Sequence, residues 1–268
     1  LDHQIEKYVN TTGELVAWVR LPSVNTSAAG SDTVIYVYYG DSSVTTPTEN
    51  PTGVWDANYA GVWHVKDGTT LSAADSTVNA NNGTKQGTPS AVGGQIDGAA
   101  NFSGSGDDFA ITSISLNGVS YTISTWFNSP FPVPTGATYN TLTRGSTGDH
   151  AVIVRRSDMH LGVYHGGTGF HDSGYDISGV SAGWHYLTAV VSGTTTTFYI
   201  DGSSVGSADV KSSRDIAYLG NYQGGNQQWG KADEIRISNT ARSACWITAD
   251  YNNQSSPSTF YAVGAESA

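Results

Sequence analysis

Apolar and polar residues alternate with a period of two along much of this chain, the spacing of strands whose two faces meet different surroundings. Residues 121–127 set Tyr121, Ile123, Thr125 and Phe127 on one face and Thr122, Ser124 and Trp126 on the other. Residues 151–156 and 159–165 read as a strand pair around Ser157-Asp158. Residues 184–191 turn at Ser192-Gly193 into 194–200, and Asp201-Gly202 turns that strand back. Asp-Gly between β-branched runs is a strong hairpin signal. Residues 216–219 and 234–238 predict two late strands. Near the start, 15–21 and 33–39 are β-branched and aromatic with turn residues around them, so both are predicted as strands.

One segment carries the other period. Over 242–252, Trp246, Ile247 and Tyr251 share a face at three-to-four spacing and Ser243 is placed to cap, which predicts a short helix against the sandwich edge. Cys245, among apolar neighbours on that helix, is expected to pack inward. Between 42 and 53, Pro47 and Asn50-Pro51 interrupt all periodicity, so the boundary is set there: 1–53 a β segment, 54–268 the main domain. The four threonines at 194–197 favour strand, and no repeat of fixed period occurs.

Composition agrees with many short strands and tight turns: there are 32 glycines, with 11% aromatic residues and 13% charged. A net charge of −11 with pI near 4.8 argues against nucleic acid as a partner, since phosphate binding needs clustered Lys and Arg. It suits an exported protein and leaves many Asp as hard oxygen ligands for calcium. The single cysteine excludes an internal disulfide framework, and no apolar run reaches the ~18–20 residues of a membrane span. Leu1-Asp2-His3-Gln4 does not resemble a signal peptide, so any export signal is expected to have been removed or to lie upstream.

The motifs Val62-Trp63-His64-Val65, Asp75-Ser76-Thr77 before an Asn-rich loop, Gly98 to Phe102 leading into Asp107-Asp108-Phe109, Tyr121 to Trp126, Gly183-Trp184-His185-Tyr186, Phe198 to Gly202 and Ala232 to Ile237 follow in an order that resembles a bacterial LamG/concanavalin A-like jelly roll. The likeness runs over 54–252. It implies an all-β sandwich with a short C-terminal helix and a small N-terminal β appendage. Residues 1–53, with Tyr38-Tyr39-Gly40 as hallmark, resemble the end of a bacterial domain of unknown function often found before such modules. That family has strands upstream of residue 1, so the chain is expected to be a piece of a larger secreted or surface protein.

Three chemistries compete on such a fold. Glycoside hydrolysis needs two carboxyl groups flanking the bond. Laminarinase-like relatives carry them at alternate strand positions, whereas here the five Glu are isolated and the acidic pairs Asp107-Asp108 and Asp233-Glu234 are adjacent, pointing to opposite faces. A lyase would use Tyr, His and Arg, and Arg144, His150, Arg155, Arg156, His160, Tyr164, His165, His171 and Tyr175 do fall in one stretch; the alginate-lyase motifs are absent. Glycan binding needs aromatic faces for sugar rings and polar side chains for hydroxyls. Loops 164–172 and 221–229 have that composition, which makes Tyr164, His165, His171, Tyr175, Tyr222, Gln228 and Trp229, with Arg144 and Arg155, the candidate ligand residues. An adhesion or spacer module that recognises protein would instead bury Trp229 and Tyr222. Trp126 and Trp184 are expected in the core. The resemblance also implies a structural calcium with Asp107 and Asp233 as ligands; Asp75 and Asp67 are weaker candidates.

Overall fold

A computed structural model describes residues 1–25, 32–66, 68–222 and 225–266, so Asp67, Gln223 and Gly224 lie outside the described residues. The chain opens with a hairpin, β1 (His3–Val9) and β2 (Glu14–Val19), followed after an irregular stretch by the single turn α1 (Pro51–Val54). Residues 32–48 form neither helix nor strand, which corrects the strand expected at 33–39. Its aromatic side chains stand in solvent, Tyr38 at 91% exposure. A strand exists only through ladder bonds to a neighbour, and β1 and β2 pair with each other alone.

The rest is a sandwich of two antiparallel layers. One layer runs β16 (Ser203–Ala208), β15 (Thr195–Ile200), β14 (Gly183–Ser192), β8 (Tyr121–Ser129), β18 (Gly230–Ser238), β6 (Gly98–Phe102), β5 (Ser90–Gly93), with β3 (Tyr59–Trp63) also on β18. The facing layer has two halves. β13 (Gly169–Asp176), β12 (His160–His165), β11 (His150–Arg155) and β9 (Tyr139–Thr141) form one; β10 (Thr143–Arg144), β17 (Asp215–Leu219), β7 (Asp108–Ser115) and β4 (Thr84–Gln86) form the other. Residues 139–144 join the halves, since Leu142 N–H donates to the Val152 carbonyl and Gly220 N–H to the Leu142 carbonyl.

The core between the layers holds Phe102, Phe109, Tyr121, Phe127, Phe198 and Trp229. The Asp-Gly hairpin forms as its residues dictate. Asp201 sits at φ 50° and Gly202 at φ 78°, both in the left-handed region that such a turn requires. Nearly all of β8 is buried although it alternates. Tyr121, Ile123 and Phe127 face the core, while Trp126 on the other face donates its indole N–H to Gln254 and packs on Tyr251 of helix α2 (Ala244–Ser255). Ser243 caps α2 as expected, accepting from the Trp246 N–H. Cys245 is exposed, contrary to expectation. Ile247 is the residue turned inward, and two helical steps place Cys245 roughly 200° around the axis from it. Trp184 is half-buried at the start of β14 and not a core residue; Trp63 and Trp55 are buried.

The N-terminal hairpin is not a free appendage. Trp18 of β2 packs on Trp55 and His64, and its indole N–H donates to Glu6 of β1. Gln4 accepts from the Trp55 indole and donates to Ser76. Beneath lie Glu6, His64, Glu234, Arg236 and Asp250. The His64 imidazole is 2.6 Å from Glu234, Arg236 forks onto Glu234 and reaches Asp250, and its guanidinium lies 4.3 Å over the Trp18 ring. The register of β18 shifts between Asp233 and Arg236, and Glu234 there has φ 52°. Such an irregularity re-aims side chains: Ala232 and Ile235, three residues apart, both enter the core, while Glu234 and Arg236, two apart, share the opposite face. Burial and the neighbouring Glu234 push the Glu6 carboxyl up to about 10, so it is protonated at neutral pH.

Candidate functional site

Cross-strand register assembles the candidate site on the outer face of the β9–β13 half-layer. In β12, Leu161 and Val163 enter the core, which turns His160 and Tyr164 outward. Antiparallel pairing then places Arg155 beside both His160 and Tyr139, Tyr164 between His150 and Phe170, and Arg144 beside Tyr218.

The result is a continuous track of rings capped by arginines. Arg144 lies 4.4 Å over the Tyr222 ring and 5.6 Å from Tyr218. Tyr222 stacks on His150 at 5.9 Å, and His150 meets Tyr164 edge-on at 5.7 Å. Tyr164 touches Tyr139, Tyr139 stacks on Phe170, and Arg155 lies 4.3 Å over Phe170. Gly162 makes room for this: a side chain there would collide with the Phe170 ring and the His171 carbonyl. At the Arg155 end the guanidinium is bidentate on Asp158 and also bonds Asp172, which His160 approaches at 2.8 Å. The bond from Arg155 holds the Asp158 carboxyl below its usual range.

His150 is buried in the middle of the track, its Nδ1 3.2 Å from the Thr143 carbonyl. Burial first, and the Arg144 charge second, push its pKa down to about 4. The imidazole is therefore neutral at physiological pH. Because its folded pKa lies below the ordinary value of 6.5, the unfolded chain takes the proton first as pH falls. Stability carried by this residue is expected to drop by about 3 kcal/mol between roughly pH 6.5 and 4 and to fall no further below that window. Urea midpoints of wild type and His150→Gln across that window measure it; an unchanged acid-induced loss in the variant would refute the assignment.

Of the sequence candidates, the fold brings together Arg144, Arg155, Tyr164 and Tyr222. His165 is engaged by its own turn, accepting the Gly167 N–H. His171 pairs across from Val163, on the other side of β13, and bonds Asp209 and Thr168. Tyr175 packs against the core. Gln228 is buried and bonds Asn226, and Trp229 is 0% exposed between Phe127 and Phe131. Tyr222, by contrast, is 38% exposed. Tyr139 and Tyr218 join the track although nothing in the sequence distinguishes them: strand 139–141 is too short to show alternation, and Tyr218 is marked only by its register with Arg144.

The two Asp expected to hold calcium are loop clamps. Asp107 accepts backbone N–H groups of Thr88 and Gly104, one on each oxygen. Asp233 accepts those of Gln95 and Ile96 on one oxygen, and burial together with Glu234 raises its pKa well above the usual range. Among the described residues neither is grouped with two further acidic or histidine side chains, so backbone carbonyls or waters would have to supply most of the roughly six to eight oxygens that calcium takes. Asp75 likewise accepts from Val62, Thr77 and Asn81.

Two antiparallel layers with an aromatic outer face define a lectin-like jelly-roll sandwich. The chain belongs to the concanavalin A-like lectin/glucanase superfamily, whose laminin-G-type family model matches residues 103–248. Residues 1–78 match a domain of unknown function, DUF2341. No match was found among curated proteins. Among solved structures, domain 4 of an extracellular arabinanase from Geobacillus stearothermophilus, in complex with arabinotriose, is 17% identical with TM-score 0.57, over 72% of this chain and 98% of that one. The binding domain of Paraclostridial mosquitocidal protein 1 is 16% identical with TM-score 0.51, over 73% and 52%. The receptor-binding domain of botulinum neurotoxin D is 15% identical with TM-score 0.52, over 74% and 53%. At these identities the likeness is one of fold. No helix among the described residues is long and apolar enough to cross a membrane.

Proposed function

We propose that the protein is a non-catalytic glycan-binding module of a secreted or surface protein, and that the Tyr222–His150–Tyr164–Tyr139–Phe170 track is its binding face. The track itself carries the reading: ring faces stack on the apolar faces of sugars, and arginines at both ends meet hydroxyl or carboxylate groups. An arabinotriose-bound domain of the same fold supports it. The reading does not depend on calcium at Asp107 and Asp233.

Calorimetry against arabinan, β-glucan, mannan and uronate-containing polysaccharides tests the proposal. Binding is expected to at least one class, and Tyr164→Ala or Tyr222→Ala is expected to weaken it by roughly tenfold or more, about 1.4 kcal/mol per decade. Silence across the panel, or unchanged affinity in both variants, would sink it.

One observation favours a second reading. Arg144, His150 and Tyr164 are neighbours, as a uronate lyase would require, with the imidazole neutral and able to accept a proton. Release of an unsaturated, ultraviolet-absorbing product from the uronate substrates would establish it in place of simple binding.

A further inference from the structure

The cluster at the joint between the hairpin and the sandwich has the make-up of a metal centre. Its three potential ligand atoms come from β1, from the residue after β3 and from β18, and all lie within 4.8 Å of one another. We propose that Glu6, His64 and Glu234 bind a transition-metal dication of the zinc type, tying the N-terminal hairpin to the sandwich.

Four observations carry this. First, one imidazole nitrogen and two carboxylates are the kind of donor set found in three-ligand zinc sites, with a fourth position left for water. Second, the Glu6 side chain is fully buried, yet its Oε1 has no hydrogen-bond partner, an acceptor withdrawn from water with nothing to satisfy it. Third, each ligand is held from behind, as metal ligands are. His64 Nε2 lies 3.2 Å from the Gln4 carbonyl oxygen, whose orientation the Trp55 indole fixes by donating to it. The second oxygen of Glu234 accepts from Arg236 at 2.6 Å, and Glu6 Oε2, which lies 3.5 Å from His64 Nδ1, accepts from the Trp18 indole. Fourth, the permanent charges do not balance. Glu6, Glu234 and Asp250 face a single guanidinium, Arg236, and Asp233 lies within electrostatic reach of Glu6 and Glu234, so the buried cluster holds more acids than permanent bases. A dication would offset that excess. His64 Nδ1 and Glu234 Oε1 lie 2.6 Å apart, which brings two of the three ligand atoms together. A pocket of about 270 Å³, lined among others by Gln4, His64, Ser72 and Ser76, reaches one of the three ligands, His64.

The test uses the full chain, stripped with a chelator and titrated with Zn²⁺ by calorimetry and with Co²⁺ by its visible absorption. One equivalent is expected to bind, with a raised melting temperature and slower proteolysis of the hairpin. Glu6→Gln keeps the size of the side chain and the oxygen that accepts from the Trp18 indole; it and His64→Gln are expected to weaken binding by at least roughly tenfold. His160→Asn, in the exposed Asp158–His160–Asp172 group, is expected to leave binding unchanged. No binding to wild type, binding indifferent to Glu6→Gln and His64→Gln, or binding abolished by His160→Asn would overturn the assignment.

Discussion

Trp229→Ala is expected to lower stability by about 3–5 kcal/mol, the range for truncating a large buried aromatic. Trp229 is enclosed by Phe127 and Phe131, and its backbone N–H donates to the Gly220 carbonyl, so it pins the loop that carries Tyr222. The cavity left between the layers cannot collapse without moving β8, which is paired on both sides. Trp229→Phe should lose far less, because it keeps most of the ring and removes an indole N–H that is buried without a partner. Denaturant midpoints of the two variants provide the check. Near-equal stabilities for Trp229→Ala and wild type would mean that the ring is not a core element.

Arg236→Ala is expected to cost a similar amount, about 3–5 kcal/mol, for an electrostatic reason. Among the described residues the guanidinium is the only permanent cation against Glu234 and Asp250, and it is buried with Glu234 while Asp250 is partly buried beside it. Removing it leaves the Glu234 carboxylate in a medium that cannot solvate it and takes away the face on which Trp18 and Trp55 rest. Loosening of the N-terminal hairpin should accompany the loss, read as faster proteolysis between β1 and β2. Arg236→Lys keeps the charge without the planar fork and should fall between the two. A variant of wild-type stability with a protected hairpin would show that the joint does not depend on this ion pair.

The joint also changes how the domain boundary is understood. Residues 42–53 look like a linker in sequence, and apart from the single turn α1 they are irregular. Yet Gln4, Glu6 and Trp18 on one side of them and Trp55, His64 and Arg236 on the other form one buried cluster. Sequence could not reveal it, because Glu6 and Glu234 appear there as isolated acids near opposite ends of the chain.

Strands and turns with local causes were legible. Asp201-Gly202 forces a tight hairpin because its backbone preferences match that turn, and Ser243 caps a helix because its hydroxyl reaches the Trp246 N–H. Order and spacing of the motifs along 54–252 were enough for the jelly roll. The site was legible only in part. A period of two divides a strand into two faces without saying which face meets the core, so Tyr164 and Trp229 looked alike as aromatics beside glycine-rich loops. Pairing decided between them: register with β11 and β13 set Tyr164 among rings on the open face, while the loop after β17 folded Trp229 between the layers. The sequence by itself determined most of the strands, their turns and the class of fold, since these follow from neighbours in the chain. The tertiary structure alone decided the aromatic track and the charged joint, because both are made by residues brought together only when the layers close.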